Sequence, residues 1–295
     1  MDKRAGIVGI GIMGSAMMRN MRKDGFEIIG FDVSEPACQA LVDAGGELAK
    51  SPREVAEGAS IIITSLPSIA AFHAATSGPD GISSASGTGQ IVIDCSTLPI
   101  VEKQRAHDVL AANGKTLLDC PVSGTGAQAA NKDLVVLGSG DKAAFDRCSE
   151  VFAGMSRVQK YVGPFGNGMK MKIIANHLVT IHNLAAAEAL VLGMKAGLDP
   201  AQIYDTLADS AATSRMFQVR GPQMIANKYT PPTASMITHL KDIGIIAEFA
   251  SNLHCPTPLF TAASQFYHAG ASTGREHLDT ASLCSVLEDM AGIKR

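Results

Sequence analysis

Lys172 and Asn176 are four residues apart and share one face of a predicted helix, with Lys172 set among Met171, Ile173 and Ile174. A lysine held away from water has a lowered pKa and exchanges protons near neutrality, as general acid–base interconversion of a hydroxyl and a carbonyl requires. The same side chain can instead run its stem along apolar surface and keep its ammonium in water, as expected of Lys170. Spacing leaves both readings of Lys172 open. A second group is Asp119-Cys-Pro-Val-Ser123-Gly124-Thr125-Gly126, where turn N–H groups and the Ser123 and Thr125 hydroxyls can cradle a carboxylate. An ordinary loop has the same composition.

The third group lies at the start of the chain. Gly9, Gly11 and Gly14 form G-x-G-x-x-G between an Ile/Val-rich strand and a helix, and Asp32 closes the next strand. In that context Gly9 makes the tight turn, Gly11 admits a pyrophosphate to the backbone, and Gly14 lets helix and strand pack closely. A dinucleotide is the expected ligand. A carboxylate at Asp32 accepts hydrogen bonds from ribose hydroxyls and repels a 2′-phosphate, and Val33-Ser34-Glu35-Pro36 supplies no cation to neutralise one. NAD is therefore expected in preference to NADP.

These groups need a frame. Apolar runs at 5–10, 27–32, 61–66, 91–94, 116–119 and 134–138 are separated by helix-length segments, and continuous rather than alternating runs suit parallel strands buried on both faces. Residues 1–162 are thus expected to form a Rossmann doubly wound sheet, an α/β domain binding NAD, with the Ser123 turn at the edge where such sheets place ligands. Helix starts are marked by Ser51-Pro52 and by Thr97-Leu98-Pro99. From Gly163 the strand pattern stops. Residues 163–295 are expected to be an all-α domain for substrate and oligomerisation, joined through a long interior helix over 169–196 and continuing with helices near 200–210, 214–227, 235–252, 256–270 and 279–291. Asp199 and Pro200 should cap and start the second of these.

The totals exclude several classes. The chain has 295 residues and a formal charge of −3, with acids and bases interspersed, so no surface for nucleic acid or anionic membrane is expected. Six cysteines show no C-x-x-C and no ligand spacing with the eight histidines, which themselves form no H-E-x-x-H; no metal is expected, and the thiols read as buried in a reducing compartment. Met1-Asp2-Lys3-Arg4 leads straight into the first strand, leaving no signal peptide, and the helix over 169–196 carries Asn176, His177, Thr180, His182, Asn183 and Glu188, which is polar for a membrane span. A cytoplasmic protein is expected. His177 and His182 can face substrate or be satisfied core residues.

Together these motifs resemble the β-hydroxyacid dehydrogenase family over nearly the whole chain. The resemblance rests on Gly9-x-Gly11-x-Met13-Gly14, Ser65-Leu66-Pro67, Asp94-Cys-Ser96-Thr97, Asp119-Cys-Pro-Val-Ser123-Gly124, Gly166-x-Gly168 with Lys172 and Asn176, Lys241-Asp242, and Gly274 followed by Asp279. It implies Lys172 as the catalytic lysine, Asn176 orienting substrate, Ser123 and Gly124 holding the carboxylate, and Leu66, Pro67, Ser96 and Lys241 along NAD, to which the residue reading adds the Thr125 hydroxyl at the carboxylate and Ile12 and Met13 of the glycine turn at the cofactor. It further implies a small hydroxyacid substrate and a homodimer or homotetramer. Thr125 and Asn131 stand where glycine is frequent; the Ala129-Ala130-Asn131 run resembles threonate dehydrogenase-like members, and extra polar groups there suggest a polyhydroxylated substrate, with His177 or Arg215 as further donors. Imine reductases share the architecture but carry another residue at the Lys172 position, and a non-catalytic dinucleotide-binding module should have lost Lys172 or Asn176.

Overall fold

The Ile/Val runs of the first half become short parallel strands because each is covered on both faces. The structure, a computed structural model, describes residues 3–295 and divides into two units, the first ending at Lys172 and the second running from Ile173 to Arg295. In the first unit β1 (Arg4–Val8), β2 (Glu27–Phe31), β3 (Glu47–Leu48), β4 (Ile61–Thr64), β5 (Ile91–Asp94) and β6 (Thr116–Asp119) form one parallel sheet in the order β3-β2-β1-β4-β5-β6. The order reverses between β1 and β4, and that crevice is where doubly wound sheets bind ligands. Ile7, Ile63, Ile93 and Leu118 are buried on one face of the sheet, and Val8, Ile62, Val92 and Leu117 on the other.

Local signals explain the helix starts. Ser51 caps Pro52–Gly58 by accepting the Glu54 N–H at 3.2 Å. The segment Ile100–Ala112 follows Pro99 and stops at Asn113, where Gly114 takes φ +69°. The run over 134–138 does not join the parallel sheet as expected. It forms β8 (Val135–Gly138), the middle of a separate three-stranded sheet with antiparallel β7 (Val122–Ser123) and parallel β9 (Val158–Tyr161). Strands of two to four residues such as β3, β7 and β9 are too short to show a period, and Gln159 and Lys160 leave β9 without an apolar run.

The second unit is all helix. Beyond Asn167–Lys195, which begins in the first unit, it contains Pro200–Leu207, Arg215–Ile225, Met236–Asn252, Pro258–Gly270 and Leu283–Ala291, with a wide, kinked turn at Ala271–Arg275 and a tight one at Thr280–Ser282 between the last two. Asp199 caps its helix by accepting the Gln202 N–H at 3.0 Å, and Pro200 occupies the first position.

The helix Asn167–Lys195 is long and apolar enough to cross a bilayer by length and composition. Three of its polar residues, Asn176, Thr180 and Asn183, are nevertheless buried and paired inside the second unit, while His177 and His182 are half-buried and Glu188 is exposed. Asn176 donates to Asp242 Oδ2 at 2.9 Å, Thr180 Oγ1 lies 2.9 Å from His239 Nε2, and Asn183 donates to the Thr280 carbonyl at 2.8 Å. Such pairing belongs to a helix in a packed protein core. It is not wholly interior as expected, since Ile174, Leu178 and Leu192 are about half exposed or more.

Candidate active site

The glycine turn between β1 and the helix Ile12–Lys23 is shaped by contact. Gly9 has φ +91°, and a Cβ there would meet the Ser65 carbonyl oxygen at 2.3 Å; one on Gly14 would meet the Gly9 carbonyl oxygen at 2.0 Å. At Gly11, the N-cap, a Cβ would meet nothing within 4 Å, and no side chain caps the helix. Open space thus borders the start of this helix at a residue without a side chain, and its first-turn N–H groups have no side-chain cap, which fits a pyrophosphate. Ile12 is exposed here, while Met13 packs partly against the core.

Asp32 is fixed by two backbone donors. Its Oδ2 accepts the Ile10 N–H at 2.6 Å and its Oδ1 the Ser34 N–H at 2.8 Å. Each oxygen keeps a further lone pair for a ribose hydroxyl, and the carboxylate is oriented before any ligand arrives. At the next strand ends, Leu66 donates its N–H to Ser96 Oγ at 3.0 Å, and Ser96 Oγ donates to Asp94 Oδ1 at 2.6 Å. Pro67 is exposed beside them. Leu66, Pro67 and Ser96 thus line up along the carboxyl ends of β4 and β5.

The Ser123 turn lies close to the glycine loop. Asn20 on the helix Ile12–Lys23 donates to the Ala129 carbonyl at 2.7 Å, and a Cβ on Gly126 would come within 2.7 Å of Ile12. Gly124 has φ +142°, and a Cβ there would strike Leu134 at 2.6 Å, so glycine is required. Thr125 has another task from the one its position suggested. It caps Gly126–Ala130, accepting the Gln128 N–H at 3.3 Å while its own N–H donates to Gln128 Oε1 at 3.0 Å. Asn131 is exposed and donates to the Ala127 carbonyl at 2.9 Å. Both side chains are thus engaged in local bonds of the short helix Gly126–Ala130.

Lys172 is half-buried, one turn into the helix Asn167–Lys195, and the start of that helix is tied to the same sheet edge. Asp119, the last residue of β6, accepts the Met169 N–H on Oδ2 at 2.7 Å; Ser139 Oγ accepts the Gly168 N–H at 2.9 Å and donates to Asp119 Oδ2 at 3.1 Å. A Cβ on Gly168 would lie 2.4 Å from the Leu137 carbonyl oxygen and 2.5 Å from that of Asp119, so only glycine lets the helix start this close.

Behind this edge lies a group that the motif reading missed. Lys103 is fully buried, with Nζ 2.6 Å from Asp119 Oδ1 and 3.0 Å from Asp94 Oδ2. Burial alone would lower its pKa, but the charges of Asp119 and Asp94 outweigh that and hold it above the ordinary lysine range. A signal was present in the sequence. On Ile100–Ala112 the buried positions are Lys103, Ala106 and Leu110, so this lysine falls on the core stripe of its own helix, and the two aspartates end adjacent strands.

The remaining expected residues lie in the second unit. Asn176 is held by Asp242, and Lys241 Nζ is 3.4 Å from the other oxygen of that aspartate. His177 stacks on Phe260 with ring centroids 5.3 Å apart, and Arg215 is bonded to Gln218 Oε1 at 3.4 Å. Of the six cysteines, all are free thiols; Cys95, Cys120, Cys148 and Cys284 are buried, whereas Cys255 is exposed and Cys38 half-buried, contrary to the uniform burial expected. Burial, with Asp94 adding to it, pushes the Cys95 thiol well above its usual range.

Comparison with known proteins places this arrangement. The family described as the NAD binding domain of 6-phosphogluconate dehydrogenase matches residues 4–163, and that described as the NAD-binding of NADP-dependent 3-hydroxyisobutyrate dehydrogenase matches 166–287. An L-threonate dehydrogenase of Cupriavidus necator is 31% identical over 97% of this chain and 96% of that protein. The chain belongs to the β-hydroxyacid dehydrogenase family. The mitochondrial 3-hydroxyisobutyrate dehydrogenase of Bos taurus is 32% identical, covering 96% of this chain and 86% of that one. A 3-hydroxyisobutyrate dehydrogenase structure from Salmonella typhimurium superposes with a TM-score of 0.86 at 29% identity, covering 96% of this chain and 99% of that one. These β-hydroxyacid dehydrogenase relatives make the chain an oxidoreductase that uses a nicotinamide dinucleotide.

Proposed function

We propose that this enzyme reversibly oxidises the hydroxyl of a small β-hydroxyacid with NAD, and that Lys172 is its general acid–base. The observation that carries the reading is the anchoring of the Lys172 helix by Asp119 and Ser139 at the carboxyl end of β6, in the same parallel sheet whose β1 leads into the Gly9–Gly14 turn. When bound, the nicotinamide supplies the hydride acceptor. The turn N–H groups after Gly11 hold the pyrophosphate, Asp32 receives the ribose hydroxyls, and Leu66, Pro67 and Ser96 flank the cofactor along the strand ends. The Ser123 hydroxyl and the Gly124 backbone hold the substrate carboxylate, which fixes which hydroxyl reacts. Lys172 Nζ takes the hydroxyl proton, and in the reverse direction returns it. Asn176 and Lys241, both linked to Asp242, are assigned to orienting substrate and cofactor. A lysine at 172 favours this reading over imine reduction.

Two measurements test it. Lys172→Ala should lower kcat by roughly a hundred- to ten-thousand-fold while dinucleotide binding persists; near-normal turnover by the folded variant would move proton transfer to another residue. Comparing kcat/KM with the two dinucleotides tests Asp32, because a 2′-phosphate must sit against a carboxylate already oriented by Ile10 and Ser34. Equal use of NADP would refute the NAD assignment alone.

We further infer a homodimer or homotetramer in the cytoplasm. Supporting this, Ile174, Leu178 and Leu192 stay exposed on one long helix, and the buried free thiols suit a reducing compartment. Sedimentation of the purified protein decides the first point: a monomer at micromolar concentration removes it.

A further inference from the structure

The strongest unexplained feature of the first unit is a buried ammonium between two buried carboxylates. A polar core position of this kind carries a large desolvation penalty, and apolar residues of similar volume usually replace such a group without loss of stability. What distinguishes Lys103 is where its partners lead. Asp94 Oδ1 accepts from Thr64 Oγ1 at 2.7 Å, from the Ser96 N–H at 3.1 Å and from Ser96 Oγ at 2.6 Å, and Ser96 in turn fixes the Leu66 N–H. Asp119 Oδ2 accepts the Met169 N–H, and through Ser139 it reaches Gly168. One ammonium therefore joins two chains of hydrogen bonds. The first ends on the strand edge assigned to the cofactor; the second ends on the first turn of the helix that presents Lys172.

We propose that Lys103 is a positioning residue for proton and hydride transfer, setting the distance between the Leu66–Ser96 edge and Lys172. The proposal rests on the assignment of Lys172 as the general acid–base. Lys103 touches neither substrate nor cofactor. Its ammonium ties Asp94 to Asp119; without it two like charges at the ends of adjacent strands repel or take up a proton, and even when the charge is balanced the tie between the two strand ends is missing. Each of these changes shifts Ser96 against Met169, and with them the two reacting partners. Misplacement by about 1 Å can reduce a rate about a hundredfold even when both partners still bind.

The experiment compares Lys103→Met, which keeps the stem and removes the charge, with Lys103→Met/Asp119→Asn, which restores charge balance and keeps an acceptor for Met169. Tm, the Kd for NAD, and kcat and KM for the hydroxyacid are measured for each, with Lys172→Ala alongside. The expected result is a kcat lower by about ten- to a hundredfold, with Kd and KM within about threefold, and a double variant that regains Tm but not kcat. If kcat recovers together with Tm, or if Lys103→Met turns over normally, Lys103 is only structural. If Lys172→Ala itself retains turnover, the acid–base assignment fails and takes this proposal with it. A dead Lys172→Ala beside a fully active Lys103→Met overturns this proposal alone.

Discussion

Two buried cations, one in each unit, are held in nearly the same way and lead to different places. In the first unit Lys103 bridges Asp94 and Asp119. In the second, Arg220 Nη1 meets both oxygens of Asp279 at 2.8 and 2.9 Å, and the same carboxylate accepts the N–H groups of Thr233 at 2.7 Å, Ala234 at 3.2 Å and Ala281 at 3.0 Å. The pairwise physics is alike: each cation offsets the desolvation of its carboxylate, and truncating either leaves an uncompensated charge. The difference lies in the other lone pairs. Those of Asp279 close a loop and start a helical turn, so they fasten the chain to itself. Those of Asp94 and Asp119 hold Ser96 and the first turn of the Lys172 helix, the groups assigned above to the cofactor edge and to proton transfer.

The sharpest way to break the comparison is to remove the second cation. Arg220→Met should destabilise the protein by about 3–5 kcal/mol, as breaking a buried pair does, read as a lower denaturation midpoint in urea. The folded fraction should keep the parental kcat, in contrast to Lys103→Met. A tenfold loss of kcat in folded Arg220→Met would erase the distinction between a fastening pair and a positioning one. Lys115 supplies a third case, a buried ammonium donating to the carbonyls of Ala85 at 2.9 Å, of Gly87 and Asn113 at 3.3 Å and of Ser83 at 3.4 Å, with no carboxylate partner among the described residues. Removing it leaves orphaned carbonyls rather than an orphaned charge. Lys115→Met should therefore lower stability by about 1–3 kcal/mol, less than Arg220→Met, by the same urea measurement.

The units can also be compared through their buried thiols. Burial raises Cys148 in the first unit and Cys284 in the second from 9.0 to about 12, with Glu288 adding to the second and nearby arginines, Arg147 and Arg295, opposing. The folded pKa is above the unfolded one, so the contribution is intact below the ordinary thiol value of 9.0 and is lost as pH rises toward about 12. Each thiol should steepen the alkaline loss of stability by at most about 1.4 kcal/mol per pH unit. Cys148→Ser and Cys284→Ser should each flatten that limb between pH 9 and pH 11, whatever they do at neutrality. Parallel limbs for variant and parent would mean that the thiol is not desolvated.

What was legible in the sequence follows the same division. The glycine turn and the helix starts at Ser51 and Asp199 were readable because each is local: a turn or a cap is decided within four residues. The parallel strands were readable because double burial forces continuous apolar runs. Membership of β8 in a second sheet was not, since its partners β7 and β9 are short and carry no period. The Lys103 cluster was legible only in part: the lysine falls on the core stripe of its helix, but its three charges meet only when β5 and β6 pair in register, Asp94 opposite Asp119. Thr125 shows the converse. Its place after Ser-Gly suggested a ligand contact, while Gln128 three residues on was the local sign of a capping box.

That last residue gives the smallest effect and the finest comparison. Thr125→Ala and Asp199→Ala each remove an N-cap, one beside the Ser123–Gly124 turn and one in the second unit, and each should lower stability by about 1 kcal/mol. Kinetics should separate them. Loss of the Thr125 cap frees the turn that the substrate carboxylate is assigned to, so KM for the hydroxyacid should rise about two- to fivefold, while Asp199→Ala leaves KM at its parental value. Because the Thr125 hydroxyl accepts from Gln128, it discriminates little between substrates. The ratio of kcat/KM for a four-carbon polyhydroxy acid to that for 3-hydroxyisobutyrate should stay constant in Thr125→Ala. A ratio that falls fivefold or more would return Thr125 to the substrate pocket and assign its hydroxyl a recognition role beyond the cap.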